Sequence, residues 1–283
     1  MKKNVSVLNK LVPIANKVGK ITYGLPGVQA VAIYGSIAQG FADVHSDINM
    51  IAICSKVPDA QKRRKAYENA FEWIVYRNDT LPEWRTRTQD FFFVEGKHIA
   101  IVYKELKSLS QFTSDITVDT HLSREVFREA ISYVYNTKVI KDPNKLFAKL
   151  KKQIPPATPQ LLRYFLPDLE NISLTNGWPY SSFSQAIARK NYIYIDDLID
   201  HELDNFLVSL HAINCMHYVS IKWAHKSIRE LKLKPKATLK RVQKIALLGN
   251  SNKELKNKVN LLQSLVADLN KIILRERLFK VLD

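Results

Sequence analysis

Cysteine is scarce in this chain and long apolar runs are absent, and each lack excludes a class of protein. Cys54 and Cys215 are the only cysteines among 283 residues, and neither belongs to a CxxC motif or a Cys/His cluster. Thiolate binding of a metal is therefore not expected, and both are interpreted as reduced core residues, Cys54 on a strand and Cys215 on a helix. No apolar run approaches the ~20 residues of a membrane-spanning helix. The N-terminal segment lacks the apolar core of a signal peptide, so we expect a cytoplasmic protein with no membrane partner.

Acidic residues are also few relative to basic ones. The chain has 43 Lys and Arg against 27 Asp and Glu, which gives a formal net charge of +16 and a pI of about 9.7. A charge of this size attracts polyanions such as nucleotides and nucleic acid, although solubility alone is the simpler explanation. The excess is concentrated between Lys222 and Lys258, where twelve Lys and Arg stand against two Glu. This concentration favours a functional role for the basic segment.

The hydrophobic pattern changes near the middle of the chain. Before residue 150, strands rich in Val and Ile alternate with helical segments, and after it the pattern is helical almost throughout. A basic, Pro-rich stretch at 149–159 separates the two parts. The sequence therefore predicts an α+β protein, with a mixed sheet and flanking helices in residues 1–150 and an all-α helical bundle in residues 151–283.

The predicted elements follow from periodicity, turn residues and caps. In the first domain they are a helix at 3–24, strands at 28–34 and 47–54, a helix at 58–76, a hairpin of 89–94 with 98–103, a helix at 123–136 and a strand near 138–143. In the second they are helices at 160–165, 180–190, 194–232, 236–248 and 252–279. The basic run Lys62–Lys65 is interpreted as a solvated helix face, and Trp178–Tyr180 as a turn that caps the bundle.

The segment Val31–Ile53, with the sequence VAIYGSIAQGFADVHSDINMIAI, carries the candidate chemistry. Gly35 and Ser36 follow a strand, where backbone N–H groups and one hydroxyl can bind a phosphate. Asp47, twelve positions after Gly35, opens the next strand, where its carboxylate can hold a divalent metal beside that phosphate. Because side chains two apart on a strand share a face, Asn49 joins Asp47 there. The pattern predicts a metal-dependent nucleotidyl-transfer site with Asp47 and Asn49 as its catalytic and metal-binding residues.

This segment resembles the signature of the nucleotidyltransferase superfamily, which includes DNA polymerase beta and the antibiotic nucleotidyltransferases. The matching positions are Gly35, Ser36, Ala38, Gly40, Ser46 and Asp47. The resemblance implies a nucleoside triphosphate substrate, with ATP expected, a Mg²⁺ cofactor, and transfer of an NMP group to a hydroxyl of a small molecule, a nucleic acid or a protein. Members usually carry Asp-x-Asp and a third carboxylate on a later strand. Here Asn49 stands at the second of these positions, and Ala100 stands near the third.

A second, looser match lies in the helical part. The stretch LHAINCMHYVSIKWAHKSIRELKLKP is similar to a helical-domain segment of bacterial relatives of the antibiotic enzymes. Its matching residues are Ala212, Ile213, Asn214, Lys222, Lys234 and Pro235. Lys222 and Lys226 stand one helical turn apart, so both would reach the triphosphate from the bundle as point-charge ligands. With Gly35 and Ser36 they complete the predicted nucleotide-binding set, while a solvated basic face explains the same lysines equally well.

Three hypotheses are open at this point. The first is an active nucleotidyltransferase, in which a carboxylate from elsewhere replaces the missing ones. The second is a catalytically degenerate relative that binds nucleotide or RNA without turnover, which Asn49 and Ala100 favour. The third is an RNA-binding protein that uses the basic bundle. Further candidates for the cleft are Glu72, Asp90, Glu95, His45 and His98.

Overall fold

The computed structural model describes residues 2–71, 77–80, 88–115, 128, 130–167, 172, 182–218 and 220–278. The chain divides into two compact units, Met1–Pro155 and Pro156–Asp283. The first unit contains a mixed sheet with helices, and the described part of the second is helical. The protein is therefore α+β, as predicted. The domain limits of 1–150 and 151–283 stay a prediction.

Six strands form one mixed sheet in the described part of the first unit. They are β1 (Val28–Tyr34), β2 (Ile48–Cys54), β3 (Arg77–Thr80), β4 (Thr88–Val94), β5 (Lys97–Glu105) and β6 (Lys138–Lys141). Their order across the sheet is β3-β4-β5-β2-β1-β6. Neighbouring strands are antiparallel except β2 and β5, which run parallel. Both predicted strands before residue 55 and the predicted hairpin are present, as β1, β2 and the β4–β5 pair.

One face of the sheet packs against two helices, α1 (Lys2–Tyr23) and α2 (Ala60–Ala70). Successive side chains of a strand point to opposite faces, and this alternation sends Ile48, Met50 and Ile101 into the core beneath the helices. The helix predicted at 3–24 is confirmed. The one predicted at 58–76 begins at Ala60 and ends at Ala70.

The other face of the sheet carries Asn49 and Ala100, whose parity is opposite to that of the core residues. A helix, α3 (Leu106–Ser114), contacts β5 on this side, and a π-helix at Ile131–Tyr135 contacts β1. The next helix, α4 (Leu146–Lys151), packs on both. Most of the helix predicted at 123–136 lies outside the described residues, and its described end is the π-helix.

The second unit is built around two long helices that pack against each other, α7 (Tyr192–Ala212) and α10 (Asn252–Arg275). The shorter helices are α5 (Leu162–Phe165), α6 (Ser182–Ala188), α8 (Ala224–Glu230) and α9 (Thr238–Leu247). Phe206, Leu210 and Leu262 belong to the apolar core of this unit. No described helix in either unit is long and apolar enough to cross a membrane.

The continuous helix predicted at 194–232 is wrong. The helix α7 ends at Ala212, and a turn that includes Cys215, at a φ of +54°, leads to a 3-10 turn at Ile221–Trp223 and then to α8. A positive φ interrupts a right-handed helix, and apolar periodicity does not reveal it. Cys215 is exposed, so its prediction as a buried helical residue is also wrong. Cys54 is buried in β2 as predicted, and desolvation raises the pKa of its thiol to about 12.

The basic run Lys62–Lys65 is not a uniformly solvated face. Arg63 is buried, and its Nε donates to Oδ2 of Asp90 at 2.9 Å while its Nη2 donates to Oδ1 at 3.2 Å. The neighbouring Arg64 is exposed on the same helix. Four consecutive cations look alike in the sequence, and only the rotational position of α2 on the sheet directs Arg63 inward.

Candidate functional site

The turn after β1 is shaped by two glycines. Gly35 and Gly40 have φ values of +73° and +76°, a conformation that residues with a Cβ rarely adopt. Between them the chain folds back, so that the Ser36 carbonyl accepts the amide of Phe41 at 2.8 Å. A Cβ at Gly35 would lie 3.5 Å from the side-chain nitrogen of Asn49. The turn therefore lies directly beside the start of β2.

The first amides of this turn are candidate ligands for an anion. Among the described residues, none accepts a hydrogen bond from the N–H groups of Ser36, Ile37 and Ala38, or from the Ser36 hydroxyl. Successive free N–H groups in a turn form a concave anion-binding surface, and an adjacent hydroxyl adds one more donor. The turn can therefore bind a phosphate group.

Ser46 shapes the other end of the same loop. Its hydroxyl accepts the Asp43 amide at 2.9 Å and donates to Oδ1 of Asp43 at 3.2 Å, and that oxygen also accepts the amide of His45 at 3.1 Å. Lys97, at the start of β5, donates to the Val44 carbonyl at 3.0 Å. Ser46 is thus a loop-forming residue, and Lys97 ties the loop to the β4–β5 hairpin, a contact that the sequence motif does not indicate.

Asp47 and Asn49 lie side by side, and the contact between them decides their chemistry. Nδ2 of Asn49 donates to Oδ1 of Asp47 at 2.8 Å, and both residues are half-buried. The second oxygen of Asp47 has no partner among the described residues. Because an amide nitrogen cannot bind a cation, Asn49 in this orientation is a hydrogen-bond donor to the carboxylate. The opposite amide orientation would place two oxygens against each other.

Ala100 occupies the position next to Asn49 on the neighbouring strand. The two residues are register partners across the parallel β2–β5 pair, and on its other side Asn49 pairs with Tyr34 of β1. Adjacent strands lie ~4.8 Å apart, so a carboxylate at position 100 would stand beside residue 49. The methyl group of Ala100, which is only 6% exposed, can bind no cation.

This donor set fits one magnesium ion and does not fit two. Magnesium at nucleotide sites is held by one or two carboxylates together with waters and substrate phosphates, and the unpartnered oxygen of Asp47 meets that requirement. Two ions a few ångströms apart need shared carboxylates, which Asn49 and Ala100 do not supply. Within the part of the chain that the structure describes, no group of three His, Cys, Asp or Glu residues could hold a metal alone.

The hypothesis that Asp90 replaces a missing carboxylate in the site is wrong. It is fully buried on the face of the sheet opposite to Asn49, where it pairs with Arg63. Glu95 lies exposed in the β4–β5 turn at a φ of +51°. Glu72 and the Trp178–Tyr180 turn lie outside the described residues and stay predictions.

Lys222 and Lys226 converge on one indole ring in the second unit. Their Nζ atoms lie 5.6 and 4.4 Å from the centroid of Trp223, within the range of a cation–π interaction. They do not share a helix as predicted, because Lys222 belongs to the 3-10 turn and Lys226 to α8. Their assignment as triphosphate ligands stays a prediction.

Two other residues of the looser motif stabilise the helical unit. Asn214 donates through Nδ2 to the Leu233 carbonyl at 2.8 Å and accepts the Leu233 amide through Oδ1 at 2.9 Å. The ammonium group of Lys234 donates to carbonyls at the end of α8, including those of Arg229 at 2.9 Å and Leu231 at 2.6 Å. Lys234 thus satisfies carbonyls that the end of α8 leaves unpaired, and Asn214 pairs with the backbone of the segment that follows α8.

Phe91 is a residue near the site that the motif does not indicate. It is the register partner of Ala100 on β4, so it continues the row that runs from Tyr34 through Asn49. The sequence could have indicated this position, because counting outward from the hairpin turn at Glu95 pairs residue 91 with residue 100.

Comparisons with known proteins complete the description. No family model matches the chain, and no curated protein sequence matches it. Among solved structures, a nucleotidyltransferase-like protein from Exiguobacterium sibiricum is similar at 12% identity and a TM-score of 0.39, over 89% of this chain and 74% of that one. A CCA-adding enzyme in complex with ATP is similar at 12% identity and a TM-score of 0.31, over 95% and 83%. The Thermotoga maritima CCA-adding enzyme complexed with tRNA is similar at 11% identity and a TM-score of 0.27, over 96% and 84%. At these TM-scores the similarities carry no argument about activity or substrate.

Proposed function

We propose that the chain binds a nucleoside triphosphate with one Mg²⁺ and transfers its NMP group to a hydroxyl acceptor. The supporting observation is that two groups without partners among the described residues lie close together. The amides of residues 36–38 lie at the end of β1, and one oxygen of Asp47 lies at the start of the adjacent strand β2. A phosphate bound in the turn would bring its magnesium ion to Asp47. ATP is the expected nucleotide, and a cytoplasmic location and a kinship with the antibiotic nucleotidyltransferases belong to the same proposal.

Each residue has a separate role in this proposal. The turn amides and the Ser36 hydroxyl bind the β- and γ-phosphates. The acceptor oxygen forms a bond to the α-phosphorus while the bond from that phosphorus to the β-phosphate breaks, so pyrophosphate leaves and the proton of the acceptor hydroxyl passes to solvent. Asp47 would hold the magnesium ion, which would supply positive charge against the negative charge that develops on the phosphates. Asn49 keeps the Asp47 carboxylate in place through its hydrogen bond.

A nucleotide-binding protein without turnover is the second candidate, and specific contacts favour it. The hydrogen bond from Asn49 to Asp47 and the methyl group of Ala100 leave a single carboxylate where the superfamily pattern has three. Loss of one group that stabilises transition-state charge commonly costs ~10²–10³ in kcat. Binding would survive that loss, because it depends on the turn and on Asp47.

Calorimetric titration of ATP and GTP, with and without Mg²⁺, tests the binding site. We expect binding that requires Mg²⁺ and that is lost in Ser36→Ala combined with Asp47→Ala. Ser55→Ala is the matched control, because Ser55 is exposed at the opposite end of the same sheet and bonds to the Gly27 carbonyl. Pyrophosphate release in the presence of mixed hydroxyl compounds separates the two candidates. A folded protein that binds neither nucleotide would contradict both.

A further inference from the structure

Three aromatic rings form a patch at one end of the β4–β5 hairpin. The His98 ring centroid lies 5.7 Å from that of Phe91, with nearly parallel planes, and 5.3 Å from that of Phe93. Phe93 is 44% exposed, and Phe91 and His98 are half-buried. We call Phe91, Phe93 and His98 the aromatic face.

The aromatic face lies on the same side of the sheet as the candidate site. Phe91 pairs with Ala100 and Phe93 pairs with His98 across β4 and β5, and Ala100 pairs in turn with Asn49. Partners in register share a face, and strands are ~4.8 Å apart, so Phe91 stands ~10 Å from Asn49 across the sheet. That distance is comparable to the length of one nucleoside.

The aromatic face and the phosphate-binding turn lie on opposite sides of β2. The turn follows β1, whereas the rings belong to β4 and β5, and the strand order places β2 between β1 and β5. In phosphoryl and nucleotidyl transfer the attacking and leaving oxygens lie roughly in line. If the leaving phosphates occupy the turn on the β1 side, the acceptor approaches from the β5 side, where the aromatic face lies.

The charges around this face indicate what kind of acceptor it suits. Asp90 and Glu105, the carboxylates of β4 and β5, belong to the opposite face of the sheet. Two other carboxylates lie nearer, Glu95 in the exposed turn after Phe93 and Asp47 beside Asn49. The chain as a whole has a net charge of +16. A polycationic acceptor would therefore be repelled, while an acceptor with phosphates and flat rings would be attracted and could stack.

We propose that the aromatic face binds the terminal base of a single-stranded nucleic acid, whose end hydroxyl is the acceptor. This inference rests on the proposed function for the direction of approach, but base binding itself does not require a bound triphosphate. Stacking on aromatic side chains is tolerant of base identity, so the face recognises a ring and not a sequence.

Fluorescence anisotropy with a labelled hexaadenylate, in the absence of ATP, tests the proposal. We expect Phe93→Ala and Phe93→Leu to weaken binding about fivefold to a hundredfold, which corresponds to the loss of one stacked base. Phe93→Trp should keep the affinity. The leucine variant separates stacking from hydrophobic contact, and circular dichroism confirms that each variant is folded.

Two controls separate this proposal from the proposed function. Val139→Ala removes an apolar side chain of similar exposure, 49%, from β6 at the far edge of the sheet, and should leave hexaadenylate affinity unchanged. Ser36→Ala should weaken ATP and leave hexaadenylate unchanged. If Ser36→Ala leaves ATP binding intact, the proposed function fails while the base-binding result stands.

Two outcomes would overturn the inference. One is that Phe93→Ala and Phe93→Leu bind hexaadenylate as tightly as the wild-type protein does, or that the wild-type protein does not bind hexaadenylate at all. The other is a loss of ATP affinity in Phe93→Ala as large as its loss of hexaadenylate affinity. That result would mean that the aromatic face binds the base of ATP and does not bind the acceptor.

Discussion

Replacing Asp90 with Asn tests whether this carboxylate is structural or belongs to the metal site. Its side chain is 0% exposed and that of Arg63 is 3% exposed, and two hydrogen bonds join them. Without the carboxylate, the buried guanidinium retains a hydrogen bond to the Pro58 carbonyl and a position 4.8 Å from the ring centroid of Tyr103. Removing one partner of a buried ion pair costs ~3–5 kcal/mol, a large share of the ~5–15 kcal/mol that stabilises a typical protein.

Urea unfolding followed by circular dichroism measures this cost, and the next residue along α2 provides the control. Arg64 pairs with Glu68 on the surface, where its side chain is 61% exposed. Arg64→Met should therefore cost no more than ~0.5 kcal/mol. The double variant Arg63→Met with Asp90→Leu should recover most of the lost stability, because it removes both buried charges together.

A parallel ATP titration decides between the two roles of Asp90. We expect folded Asp90→Asn to bind Mg²⁺ and ATP as the wild-type protein does, because Asp90 lies on the face opposite to Asn49. The reasoning is refuted if Asp90→Asn unfolds at the same urea concentration as Arg64→Met, or if it stays stable and loses metal-dependent binding.

Three further predictions concern positions 49 and 100, the helical unit and the dependence of stability on pH. Introducing Asn49→Asp with Ala100→Asp should raise pyrophosphate release at least about tenfold if the protein still binds an acceptor, because the added carboxylates would help to hold metal charge at the phosphates and one group that stabilises transition-state charge is commonly worth ~10²–10³ in kcat. Unchanged release with intact ATP binding would favour the protein without turnover. Asn214→Ala and Lys234→Met should each lower the stability of the helical unit by ~1–3 kcal/mol, because each leaves backbone groups unpaired, and hydrogen exchange of α8 amides would show it; wild-type exchange would contradict the structural role. Burial lowers the pKa of His211 from 6.5 to about 4, and the hydrogen bond between its Nδ1 and the Leu207 carbonyl, which raises the pKa, offsets only part of this effect. The unfolded chain therefore takes up the proton first, so stability is full above pH 6.5 and falls as the pH drops from 6.5 toward 4, by on the order of 2 kcal/mol at pH 5; His211→Asn should flatten this part of the urea-midpoint profile.

Features that depend on local pattern are the ones that the sequence predicts well. The strands β1 and β2 show as Val- and Ile-rich runs that end at a Gly-Ser turn and begin at Ser46-Asp47, and the hairpin shows as two apolar runs around Gly96. Because alternation along a strand is geometric, the shared face of Asp47 and Asn49 follows as well. The hydrogen bond that joins their side chains at 2.8 Å agrees with that inference.

Features that depend on distant contacts are the ones that the sequence does not show. Arg63 is buried because Asp90, on another element, is opposite to it, and nothing in its neighbours distinguishes it from Arg64. After α7, the side chain of Asn214 bonds to the backbone of Leu233, which lies 19 residues further along the chain. A polar residue between apolar ones fits a helix equally well until its partner is known.

Asn49 and Ala100 stand at or near the positions where the sequence signature that this chain resembles has its second and third carboxylates. Because the two residues are neighbours in space, the effects of changing them are interdependent. Aspartates at both would place three carboxylates, with Asp47, at the start of β2 and on the strand beside it. Without cations, such a cluster is destabilised by like-charge repulsion and by burial at position 100, where Ala100 is 6% exposed. In this chain Asn49 donates a hydrogen bond to Asp47, and Ala100 adds no charge. These positions therefore contain a single carboxylate, and the protein can fold there without a metal ion. It follows that the variant with both aspartates should gain stability from Mg²⁺ alone, whereas the wild-type protein should gain it only when Mg²⁺ and nucleotide are present together.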